Sequence, residues 1–133
     1  MPQEKLPRYH DDWRTERYDR EEDAATLFGY YLIKHCREEA MSAIKYEPGT
    51  PEYTMAVKAV ETAMFNVIDL LEGFWLLDAG NGKRLQLALH VQVKDEDLSE
   101  VLEDVQISPG MIDLPIGYWG WVDDYGTTPR ADA

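Results

Sequence analysis

The sequence predicts an α+β domain: an antiparallel helix hairpin packed on a small antiparallel sheet, followed by a short C-terminal acidic helix and an aromatic closing segment. Three observations predict it. Two long stretches repeat apolar residues every three or four positions, which is helical spacing. Residues 84–93, RLQLALHVQV, alternate aliphatic and mostly polar side chains, which is the period of a half-buried strand. The breaks between these stretches are sharp: EPGT at 47–50 and DAGNG at 78–82 are turn-forming sequences.

Residues 1–20 read as an extended arm, interrupted by Pro2 and Pro7, with Trp13 and Tyr18 available to pin it to the body. A first helix is expected from about Glu21 to Tyr46. Glu21, Glu22 and Asp23 place negative charge at its positive end, and Phe28, Leu32, Cys36, Ala40 and Ala43 or Ile44 make one apolar stripe. Pro48 and Gly49 stop it. Thr50 then caps a second helix whose first position is Pro51, a residue suited there because its missing N–H would have no partner anyway. Val57, Val60, Met64, Val67, Ile68 and Leu71 form its expected buried face, and Gly73 its stop.

The Asn81-Gly82 pair is typical of a tight hairpin turn, where positive φ is needed. It should bring Phe74–Leu77 antiparallel to the start of the long strand. An acidic helix from about Asp95 to Val105 would turn Leu98, Val101, Leu102 and Val105 inward. Residues 107–115 read as a loop or edge strand, and 116–125 as an aromatic helical turn that places Tyr118, Trp121, Val122 and Tyr125 on one side and Trp119 on another. A single domain over 21–126 and a flexible tail over 127–133 complete the layout.

Charge narrows the functional classes. The 133-residue chain holds 13 Lys plus Arg against 26 Asp plus Glu, a net of −13. Residues 94–133 alone hold 2 basic and 10 acidic side chains, a net of −8. Such a surface repels phosphate backbones and anionic membranes, so a nucleic-acid or membrane partner is not expected, whereas a basic protein is. The single Cys36 has no internal disulfide mate, and the N-terminus carries no apolar signal core, which suggests a cytoplasmic setting.

No motif demands a catalyst, a metal or a cofactor. His10, with Asp11 and Asp12, lacks the rest of a ligand set. His35 and Cys36 are neighbours on a helix and point about 100° apart, so they cannot act on each other. DAGNGKR lacks the full phosphate-loop pattern, and KDEDLSE lacks the central glycine and closing glutamate of a calcium loop. Two candidate constellations remain. A partner-binding set comprises Trp119 and Trp121 with Asp123, Asp124, Glu103 and Asp104. A ligand-binding or enzymatic set between helices and sheet comprises His90, Arg84, Tyr31 and His35.

The helix end ETAMFNVIDLLEG, the strand KRLQLALHV and the closing YWGWVDDYG together resemble small bacterial proteins of helix–helix–strand build, over roughly residues 50–126. That resemblance carries no catalytic residues. Some acidic proteins of this kind are immunity proteins, so it implies a non-enzymatic module that engages a basic partner. A ligand site between the helix pair and the sheet, and a homodimerising structural protein, are the alternatives.

Overall fold

The computed structural model describes residues 17–72, 77–110 and 112–130. Expectations for residues 1–16, for Gly73 as a helix stop, for 74–76 as strand and for 131–133 as tail lie outside the described residues.

The chain is α+β, with helices and two small antiparallel sheets. Its first helix is a rod in three parts: α1 (Arg17–Tyr31), a π-helical stretch (Leu32–Arg37) and α2 (Glu38–Ser42). It ends earlier than Pro48 requires, because Ala43 and Ile44 donate to carbonyls three residues back and tighten the final turn. Inside the π stretch the turn is wider, so an extra residue is taken up and the inward-facing positions move along the chain. Ile33, Arg37 and Met41 are therefore buried, while Cys36, expected in the core, is exposed.

α3 (Pro51–Leu71) starts as expected: Thr50 is extended at φ −89°, and its Oγ1 accepts from the Tyr53 N–H at 3.2 Å. Its inward face differs in detail from the expected one. Val57 and Ile68 are buried and Met64 packs against the core, but Val67 is 54% exposed and the charged Glu61 is buried. α3 and the rod form the helix hairpin, joined at its centre by Arg37 and Glu61.

The long strand is two strands in two sheets. β1 (Leu77–Gly80) and β2 (Lys83–Leu85) make a hairpin in which Gly80, Asn81 and Gly82 all have positive φ, which is what the Gly-Asn-Gly sequence supplies. After 86–88 the chain enters β3 (Leu89–Lys94), which pairs antiparallel with β4 (Val101–Ser108), with Val91 opposite Val105 and Gln92 opposite Asp104. The expected acidic helix over 95–105 is thus a turn and a strand. The aliphatic spacing 98, 101, 102, 105 satisfies a helix on paper, yet Val105 and Ile107 also satisfy an alternating strand. β3 decides between them, because its open backbone groups gain a partner only if the following segment is extended.

α4 (Leu114–Tyr125) is the aromatic segment. Asp113 caps it by accepting from the Ile116 N–H at 3.0 Å. Leu114, Tyr118, Trp121 and Val122 face inward and join Ala24, Ala25, Ile33, Ile68, Val105 and Ile107 in one core. The Glu72 carboxylate, 4% exposed, accepts from the Leu114 N–H at 2.9 Å, and the Ser108 hydroxyl donates to the Leu71 carbonyl at 2.8 Å. These two bonds fix the end of α3 to β4 and α4. At the start of the expected tail, the Glu38 carboxylate accepts from the amides of Thr127 and Thr128 and from the Thr128 hydroxyl. No helix among the described residues is long and apolar enough to cross a membrane.

Candidate protein-interaction surface

The β3–β4 connection is one of the places where this acidic chain exposes aliphatic side chains, alongside single residues such as Met55 and Val67 on α3, Leu85 on β2 and Ile116 on α4. Leu98 is 70% exposed, Val101 50% and Leu102 54%, and the same segment carries Asp95, Glu96, Asp97 and Glu100, the last three exposed. The connection is well ordered by its own hydrogen bonds. Leu98 N–H donates to the Asp95 carbonyl at 3.0 Å and closes a four-residue turn. The Asp95 carboxylate accepts from the Glu100 N–H at 3.0 Å and the Ser99 hydroxyl at 2.8 Å, and Asp97 accepts from the Ser99 N–H at 3.0 Å. Those bonds, led by the Glu100 N–H, hold the Asp95 carboxyl below its ordinary pKa, so it stays ionised in the bond that shapes the turn.

Leu98 itself has φ +62°. This is the left-handed region, which costs an L-residue about 1–2 kcal/mol and is normally filled by glycine or asparagine at such a turn. The chain keeps a leucine there and aims it at solvent. A bulky residue in that conformation is uncommon, and the roughly one third of this side chain that is covered offsets only part of the cost.

The other candidate residues are distributed differently from what the sequence suggested. Trp121 is 7% exposed and meets Phe28 edge-on at 6.0 Å, so it is core. Trp119 is half-buried, stacked on Phe65 at 5.7 Å and covered by the Arg130 guanidinium at 4.5 Å. Arg130 also binds Asp123 at 3.2 Å, and Asp124 is exposed nearby. The 117–126 stretch therefore closes the core rather than offering an aromatic surface. Glu103 and Asp104 lie on opposite faces of β4: Glu103 turns inward to an ion pair with Arg20, while Asp104 turns outward to His90 Nδ1 at 2.7 Å and Gln92 Nε2 at 3.2 Å. His90 first and Gln92 second hold the Asp104 carboxyl below its usual pKa.

The ligand-binding set does not converge either. Tyr31 and His35 stack with ring centres 5.4 Å apart and sit beside the inner face of β3. His90 projects from the outer face of the same strand, and Arg84 belongs to the separate β1–β2 hairpin. Among the described residues, no group of three or more His, Cys, Asp or Glu is placed to hold a metal ion.

One polar cluster was not legible beforehand. Arg37, fully buried, donates through Nε to Glu61 Oε1 at 3.2 Å, through Nη2 to the same oxygen, and through Nη1 to Glu38 Oε1 at 2.7 Å. The Tyr118 hydroxyl donates to Glu61 Oε2 at 3.0 Å. Burial works against the Arg37 charge, but Glu61 and then Glu38 outweigh it, and the guanidinium is held above its ordinary pKa. Burial, then the Glu61 charge, raises the Tyr118 phenol, which stays a donor. With every arm engaged and no opening to solvent at Arg37 or Tyr118, this cluster joins α3, α4 and the rod. It is a structural joint.

None of the protein-family models, curated proteins or solved structures compared with the chain matches it. The functional argument therefore rests on the geometry above.

Proposed function

We propose that this chain is a non-enzymatic binding module whose β3–β4 turn engages a basic protein partner. One observation carries the reading: three exposed aliphatic side chains, Leu98, Val101 and Leu102, belong to a short segment that also carries Asp95, Glu96, Asp97 and Glu100, and one of them is held at solvent against its backbone preference. Exposed apolar residues accompanied by charged ones suit a protein-binding patch, in which an apolar centre is bordered by a polar rim. The sign of the rim selects a basic partner, and the net charge of −13 would steer it in from a distance.

The test is paired capture. The wild-type chain and a Leu98→Gly/Leu102→Ser variant are immobilised and exposed to a lysate of the source cells at about 50–100 mM salt, where the Debye length is still about 10 Å or more. The expected result is a basic protein retained by the wild type, released at about 0.5 M salt, where screening shortens that length to a few Å, and missing from the variant. Equal retention on both resins, or retention indifferent to salt, would overturn the proposal.

A further inference from the structure

A second surface lies on the other side of the same sheet. Beside β3 runs an open groove of about 780 Å³, walled by Leu27, Phe28, Tyr31 and Leu32 of the rod and by Val91 and Val93. His35 and Lys94 are its charged or titratable margins. Among the described residues no carboxylate lines it, although the chain has 26 of them. Among the described residues the outer edge of β3 is also unpaired: the sheet there has two strands, and nothing pairs with β3 except β4. An unpaired strand edge presents a row of backbone donors and acceptors that favours pairing with another chain.

We infer that this edge and groove form a twofold interface between two copies of the chain, in which β3 pairs antiparallel with β3. Charge argues for a second copy. Two molecules of net −13 repel on most faces, whereas no described carboxylate lines this groove, and Glu103 on the neighbouring strand is ion-paired with Arg20. The strand is also self-complementary. Centred on Val91, the pairing sets Leu89 opposite Val93, Val91 opposite Val91, and His90 opposite Gln92, so the apolar inner face continues across the joint. Centring on Gln92 would set His90 opposite Lys94 and Leu89 opposite Asp95, which places two basic side chains together. A twofold axis normal to the sheet keeps both rods on the same side. Tyr31, 53% exposed in the single chain, then fills the neighbouring copy's groove. The result is a four-stranded sheet with an acidic turn at each end. This interface stands whether or not those turns bind a basic partner.

Sedimentation equilibrium of the full chain from about 1 to about 300 μM, spanning a micromolar dimer constant, tests it. Dimer is expected, and it should tighten as salt rises because screening removes the net repulsion. That is the opposite of the salt response expected for a basic partner, so the two proposals fail separately. Tyr31→Glu, at an exposed position, should weaken the dimer at least tenfold. In a Cys36→Ser background, Val91→Cys should form an intermolecular disulfide on mild oxidation and Gln92→Cys should not. A chain that stays monomeric throughout, or whose groove instead takes up a peptide or small molecule, overturns the inference. So does a dimer that survives Tyr31→Glu and does not cross-link at position 91.

Discussion

Leu98 offers a way to separate stability from function at one residue. Its φ of +62° costs about 1–2 kcal/mol in the folded state. Its side chain is 70% exposed, so its contacts return only about a third of a fully buried leucine, on the order of 0.5–1 kcal/mol. Leu98→Ala loses those contacts and keeps the strain, and should destabilise by roughly that amount. Leu98→Gly loses the same contacts and gains about 0.5–1 kcal/mol of unfolded-chain entropy to overcome, but it removes the strain, so its stability should stay within about 1 kcal/mol of wild type. Glycine should therefore exceed alanine by about 0.5–1 kcal/mol, the reverse of their order in a helix. Urea unfolding followed by circular dichroism reads this as a midpoint higher by about 0.3–0.7 M for glycine, at an m-value near 1.5 kcal/mol/M. Both variants should fail to retain the basic partner. An alanine variant as stable as the glycine one would refute the strain argument.

Other substitutions test the rest of the account. Glu61→Ala leaves the Arg37 guanidinium buried without its main partner and should cost about 3–5 kcal/mol in urea unfolding, whereas Arg37→Met/Glu61→Leu/Tyr118→Phe should recover most of that loss; a cost under about 1 kcal/mol for the single change would mean the joint is not what holds the helices. Gly29→Ala would place a Cβ 2.1 Å from Trp121 Cδ2 and should destabilise by about 1–3 kcal/mol, while Gly120→Ala, with nothing within 4 Å, should stabilise α4 by about 0.5–1 kcal/mol, both read by thermal melting. Burial pushes the Glu38 carboxyl up, but the amide and hydroxyl of Thr128, the Thr127 amide and Arg37 together hold it below its ordinary value of 4.5. The stability it contributes is present above that value and is lost as pH falls through the lower folded-state value. Glu38→Gln should flatten this acid limb of the stability curve, and an unchanged limb would show that the clamp on Thr127 and Thr128 is unimportant. Glu72 behaves oppositely: burial, with Asp113 and Asp69 nearby, raises its carboxyl despite the Leu114 N–H, so its contribution is largest at low pH and is lost as pH rises through the raised value.

Capping and turn chemistry were legible in the sequence because they are local. Thr50-Pro51 and Gly-Asn-Gly each fix a boundary with residues that touch one another. The aromatic lid was legible from its spacing alone, since Tyr118, Trp121 and Val122 share one side of any helix. What was not legible depended on partners distant in the chain. Glu103 breaks the aliphatic alternation of β4 and made 95–105 look helical; it belongs inside because Arg20 waits 83 residues upstream. Arg37 and Glu61 look like solvent-facing charges on two amphipathic helices until the helices are docked. The exposure of Cys36 follows from a π-helical stretch that leaves no mark in residue periodicity. The candidate surface escaped for the same reason: once 101–108 is a strand, Leu98, Val101 and Leu102 have no core to face.

The central claim is that the β3–β4 turn, and not exposed apolar surface in general, meets a partner. The most direct measurement places a photo-crosslinking amino acid at position 98 and, as a control, at Met55, which is equally exposed at 70% but belongs to α3 rather than to the β3–β4 turn. In cells of the source, irradiation should produce a discrete adduct with one basic protein from position 98, diminished by high salt in extracts, and none from position 55. No adduct from position 98, or the same adducts from both, contradicts the account.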